Sequence, residues 1–146
     1  MPDPSCACLG IDGRPANMRE RVGVGNLCYE ILRVLPGLAP DLKIRIYLDR
    51  EPVAGFPLSA SQAEFRVIPA ARAWTQTALV RELRRDTPSV FYSSSTQLPF
   101  FAPCPCIATL LDLACYRFGK YFAWKRRMGA RFSTWAAIKR STRLIA

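Results

Sequence analysis

Apolar and polar positions along this chain switch repeatedly between a period of two and a period near 3.6. Residues 6–12, CACLGID, form an apolar run that ends on an acid, Asp12, and predict a strand. Positions 24, 27, 28, 31, 32 and 35 are apolar at helical spacing, so a helix is predicted over 24–35, ended by Pro36, Gly37 and Pro40. Lys43–Leu48, KIRIYL, alternates strictly and puts Ile44, Ile46 and Leu48 on one face of a strand. Residues 50–63 carry Pro, Gly and Ser without a period and read as a loop. A short strand over 64–68 follows, closed by Pro69, and then a helix over 74–85 with a basic outer face. Another strand is predicted over 89–92, then a polar, proline-rich loop, and then the continuous apolar run 106–111, which reads as a strand buried on both faces. A long helix over 122–140 and a last apolar run at 144–146 complete the pattern.

Strands separated by helices predict an α/β fold: one Rossmann-like domain over 1–146, with a mostly parallel sheet and helices on both faces. The chain of 146 residues is half apolar, which is enough for one sizeable core and too little for two ordinary domains. Ligands of such sheets bind where strands end at their C-terminal edge. Three features fall there: the loop after Asp12, the serine loop after Tyr92, and the turn at Asp112.

In the first of these, Gly23-Val24-Gly25 directly precedes the first helix. Such a turn can aim backbone N–H groups and a helix N-terminus at a phosphate; it can equally be a tight turn that caps the helix. It is not the dinucleotide fingerprint, because position 28 is cysteine and the interval from Asp12 to Gly23 is long, which argues against a nicotinamide dehydrogenase. Asp12 can bind a sugar hydroxyl, cap a helix, or pair with the nearby Arg14, Arg19 or Arg21. Ser93, Ser94 and Ser95 can hydrogen-bond a polar ligand, but they lack the setting of a nucleophilic serine. The chain has no histidine, which excludes histidine-dependent acid–base and triad chemistry. Six cysteines include two C-x-C pairs, 6/8 and 104/106, a spacing that suits one buried strand face better than a zinc site. Neither a metal nor a cofactor is expected.

Charge is unevenly placed. Residues 1–112 hold 12 Lys/Arg against 11 Asp/Glu, whereas residues 113–146 hold 9 Lys/Arg and no acid. The excess points to an anionic partner for the last segment. Its helix carries Tyr121, Trp124, Met128, Phe132 and Trp135 as a stripe, with Lys125, Arg126, Arg127, Arg131, Lys139 and Arg140 around it. Two readings stand open: the stripe packs on the sheet, or Trp124, Lys125, Arg126, Arg127 and Arg131 face an anionic membrane interface. Nucleic acid ranks behind both, since no binding motif accompanies the aromatics. The N-terminus has no basic region followed by a long apolar stretch, so the expected location is cytoplasmic, peripheral on the inner membrane face.

The order of these pieces resembles the N-terminal domain of family-four retaining glycosyltransferases, which have the GT-B fold of two Rossmann-like domains. The matching pieces are GIDGRP at 10–15, GVGN at 23–26 and the tryptophan-led helix from 74. PSVFYSS at 88–94, QLPFF at 97–101, TLLDLACYRF at 109–118 and RLIA at 143–146 follow in the same order. The resemblance implies transfer of a sugar, with retention, from a nucleotide-sugar donor to a polysaccharide or lipid-linked acceptor. Front-side attack needs no enzyme base. The resemblance also implies a donor-phosphate contact at Gly23, Val24 and Gly25, acceptor or sugar contacts at Asp12, Arg14, Ser93 and Ser94, and a catalytic position at Asp112. Leu111 departs from the histidine of many relatives. On this reading the chain is the acceptor-side half and shares its donor with a C-terminal domain it does not contain, so it is not active alone. The alternative is a non-catalytic relative that uses its basic helix to bind a membrane or an acidic partner.

Overall fold

Burial on both faces of the sheet decides how the strands are made. In the computed structural model, which describes residues 7–69, 71–111, 113, 117 and 123–146 (Arg126 without its side chain), six parallel strands form one sheet. They are β1 (Cys8–Asp12), β2 (Lys43–Leu48), β3 (Glu64–Val67), β4 (Val90–Ser93), β5 (Cys106–Thr109) and β6 (Arg143–Ile145), in the order β3-β2-β1-β4-β5-β6. Helices α1 (Val24–Leu38), α2 (Ala78–Arg85) and α3 (Trp124–Arg140) cover the faces. This is the expected Rossmann-like α/β arrangement.

Alternation along the strands sorts side chains into two cores. Ile11, Ile44, Ile46, Leu48 and Tyr92 pack with Cys28 and Leu32 of α1. Tyr47, Phe91, Cys106 and Ala108 pack on the other face with Leu79 and Leu83 of α2 and Ala137 of α3. Tyr47 is fully buried, so the second face of KIRIYL is core as well, because α2 and α3 cover it. At the far edge Arg45 Nε donates to Glu64 at 2.9 Å, its Nη2 lies 2.9 Å from Asp86, and Arg66 bridges the same two acids. The cluster ties β2 and β3 to the C-cap of α2.

Several expected boundaries shift. Helix α1 runs through Pro36 to Leu38. A proline there removes one intrahelical bond, and the Ala39 N–H donating to Leu35 O at 3.0 Å closes the turn beyond it. Helix α2 begins at Ala78 rather than 74, because Trp74 is turned inward. Its indole N–H donates to Ile68 O at 3.0 Å, and residues 72–77 form turns. Strand β5 stops at Thr109, and Leu111 is exposed. Cys104 lies in the bend before β5, where it accepts the Cys106 thiol on its carbonyl, so the 104/106 pair is not one strand face. Cys6, Cys115 and Tyr121 lie outside the described residues.

Candidate functional site

The order of strands fixes where a cleft can open. From β1 the chain moves outward through β2 and β3, then returns to place β4 on the other side of β1. Loops leaving the C-terminal ends of β1 and β4 therefore diverge, and this switch point is where parallel sheets bind ligands. A cleft of about 770 Å³ lies there. One wall is the loop from Asp12 to Gly25, the second is Asp49, Arg50 and Val53 after β2, and the third is Ser95 and Gln97 after β4.

The first wall is held by close backbone packing. Gly13 N–H donates to Tyr47 O at 3.0 Å, and a Cβ on Gly13 would press into Ile46. Asn17 is buried and stitches two walls together: its Nδ2 donates to Glu51 O at 3.1 Å, and its Oδ1 accepts from Val53 N–H at 2.8 Å. Neither Asn17 nor the residues it holds was marked by the pattern, since the bonds join positions more than 30 apart.

Asp12 is nearly fully buried and already engaged. Arg14 Nε donates to Asp12 Oδ1 at 2.9 Å, and Arg14 Nη2 donates to Oδ2 at 2.7 Å. The same guanidinium donates to Thr75 Oγ1 at 2.8 Å and lies 3.9 Å from the centroid of the Trp74 ring. Of the three expectations for Asp12, pairing with the basic loop is the one seen. Arg50 donates to both oxygens of Asp49 at 3.1 Å and holds that carboxyl below its ordinary range. Arg19 is exposed at the cleft and has no ion-pair partner among the described residues.

The glycine turn divides its roles. Gly23, with φ 47° and ψ −110°, is the N-cap of α1 and offers no side chain to the helix end. Among the described residues, the Gly23 and Val24 N–H groups have no backbone partner. Gly25 N–H, by contrast, donates to Val22 O at 2.9 Å, so this amide is spent within the turn. Gly25 is required for a different reason: a Cβ would stand 2.8 Å from the Pro15 carbonyl oxygen.

The serine loop meets the cleft through the last of its three serines. Ser93 and Ser94 are buried, and the cleft is lined instead by Ser95 and Gln97. Ser93 Oγ accepts from the Ser95 N–H at 3.3 Å and so shapes the turn. The Ser94 hydroxyl is buried without a geometric hydrogen-bond partner, beside the thiol of Cys28. Burial pushes that thiol up to about 11, and it donates weakly to Asp12 O at 3.6 Å. Asp112 lies outside the described residues.

Among the described residues no cluster of three metal-binding side chains occurs, and no helix is long and apolar enough to cross a membrane. Comparison with known proteins finds no matching family model, no matching curated protein and no matching solved structure. The cleft's chemistry therefore rests on its own geometry: the start of α1, Arg19 and Glu20 without ion-pair partners among the described residues, and the hydroxyl and amide side chains of Ser95 and Gln97.

Proposed function

We propose that this chain is the acceptor-side half of a retaining glycosyltransferase that moves a sugar from a nucleotide-sugar donor to a glycan or lipid-linked acceptor. The observation that carries the reading is the position of the α1 N-terminus. It borders the switch-point cleft at Val24 and Gly25, the Gly23 and Val24 N–H groups have no backbone partner among the described residues, and Arg19 and Glu20 lie on the same wall. Diphosphate oxygens suit that combination of oriented N–H groups and one cation. The hydroxyl and amide side chains of Ser95 and Gln97 suit a sugar on the opposite wall. Gly25 contributes by letting the backbone close up, not by donating its amide. The reading assigns the nucleoside to a second Rossmann-like unit facing this cleft, and front-side attack asks no general base of this one.

Leu111 favours a second reading. It is exposed just past β5, at the position the family resemblance gives to histidine. A relative that has lost transfer would keep the cleft as a binding site for an anionic glycan or nucleotide.

Amide chemical shifts of the chain titrated with UDP-glucose and GDP-mannose test the proposal. The expected result is millimolar binding with shifts at Arg19, Gly23 and Val24, as half of a site allows. Shifts confined to other surfaces overturn it, and so does micromolar binding by this chain alone.

A further inference from the structure

The face of the sheet covered by α2 and α3 ends in an aromatic strip that the sequence pattern only half foresees. Helix α3 buries its small side chains, Thr134, Ala136 and Ala137, and turns its large ones outward. Trp124 is 66% exposed, Phe132 61%, Ile138 55% and Met128 48%, so the apolar stripe does not pack on the sheet. A second element extends it. Gln76 donates to Leu98 O at 2.8 Å and accepts from Phe100 N–H at 2.8 Å, which ties the turn at Phe100 and Phe101 to the segment before α2. Phe100 stacks on Trp135 with centroids 6.3 Å apart, Phe132 lies 5.8 Å from Trp135, and Phe101 lies 5.2 Å from Phe100. Phe101 is itself 64% exposed.

Positive charge borders the strip on both sides. Arg81 and Arg84 of α2 line a shallow depression with Phe101. Across the strip, the Arg140 guanidinium lies 5.6 Å from the Phe100 centroid, and Lys139 follows the same last turn. Residues 113–146 contain no acid, and the nearest acid of α2, Glu82, is mostly covered and lies 3.9 Å from Arg85. Exposed Trp and Phe between rows of Arg and Lys match the two layers of a lipid surface, with rings at the headgroup boundary and cations at the phosphates. Met128 and Ile138 fit that apolar layer and have no role in stacking bases.

We propose that this strip docks the protein on an anionic phospholipid bilayer, with Phe101, Phe132 and Trp135 inserted at the headgroup level and Arg81, Arg84 and Arg140 on the lipid phosphates. The docking surface is thus shared by α2, the Phe100–Phe101 turn and the middle and end of α3. It is not confined to the start of α3, where the expected set from Trp124 to Arg131 lies. It stands apart from the chemistry of the cleft.

Flotation with vesicles of phosphatidylcholine, alone or with about one-third phosphatidylglycerol, tests it. The intact chain should float with the anionic vesicles at least tenfold more strongly than with the neutral ones. R81E/R84E should lose about fivefold per arginine. F101S should lose a comparable amount at unchanged charge, and brominated lipid should quench tryptophan fluorescence in the intact chain. Thermal melts of both variants should match the parent, since all three side chains point to solvent. Equal flotation by both variants overturns the shared surface. Failure of the intact chain to float overturns membrane docking, and preferential capture by single-stranded RNA over anionic vesicles assigns the strip to a different partner.

Discussion

Arg14 reaches back two residues to grip Asp12 with two hydrogen bonds, of 2.9 and 2.7 Å, at the point where the central strand ends. The pair sits at the root of the cleft. It also reaches sideways, because the same guanidinium covers Trp74. Arg14→Ala leaves the buried Asp12 carboxylate without its cation and uncovers the indole. A loss of about 2–3 kcal/mol is expected, read as a lowered urea midpoint. Arg14→Lys should recover little, since an ammonium cannot supply both the fork and the stacked plane. A midpoint unchanged in Arg14→Ala would show that the pair contributes nothing to stability.

Gly23 and Gly25 should respond differently to alanine. At Gly23 there is room for a Cβ but the backbone angles are unfavourable for it, which costs about 1–2 kcal/mol. At Gly25 the backbone has no such strain and the obstacle is the Pro15 carbonyl. The loop must move, so Gly25→Ala should shift the amide resonances of residues 13–21, whereas Gly23→Ala should leave them in place. The same shift pattern in both variants would contradict this division.

Asn17→Ala removes the stitch between two walls of the cleft while leaving both cores intact. The half-buried Val53 N–H loses its acceptor, and a loss of about 1 kcal/mol is expected. Hydrogen exchange should quicken at residues 51–53 before it does in β2. Uniform quickening across the sheet would place Asn17 in the global fold rather than the wall.

Alkaline pH should unfold this protein through its buried acids. Burial lifts the Cys28 thiol from 9.0 to about 11 and the Tyr47 phenol from 10.0 to about 12, the latter against the pull of the Arg45 guanidinium beside it. In each case the unfolded chain gives up its proton first. The stabilising contribution is therefore complete below pH 9 and is lost as pH rises toward 11 and 12. At roughly 1.4 kcal/mol per pH unit, Cys28 alone removes about 3 kcal/mol. Cys28→Ala should flatten the decline between pH 9 and 10 in thermal melts, and an equally steep decline would assign it elsewhere. Below pH 9 the folded protein should also resist iodoacetamide at Cys28.

The sheet was legible where a residue's fate depends on its immediate neighbours. KIRIYL alternates because a strand does, and the spacing of Cys28 and Leu32 marks the inward face of α1. The cleft was legible in outline for the same reason, since strand ends follow from strand placement. What escaped the pattern depends on distant partners. Ser94 is buried beside Cys28 of the distant helix α1, and Ser95 lines the cleft. Asn17 has no local signal at all. The apolar stripe of α3 is visible as a period, but its outward direction follows from Ala136 and Ala137 allowing close approach to the sheet. Nothing near Trp135 in sequence foretells its ring partner Phe100.

Gln97 lines the cleft and also a notch of about 140 Å³ beside Phe100 and Phe132. Only five peptide steps separate Ser95 from Phe100, so the cleft wall and the strip are at most about 18 Å apart along the chain. A molecule resting on its aromatic strip would hold its cleft at a fixed, small height. It would meet partners diffusing in the plane of the lipid rather than through bulk solvent, and anything carried far above that plane would pass out of reach.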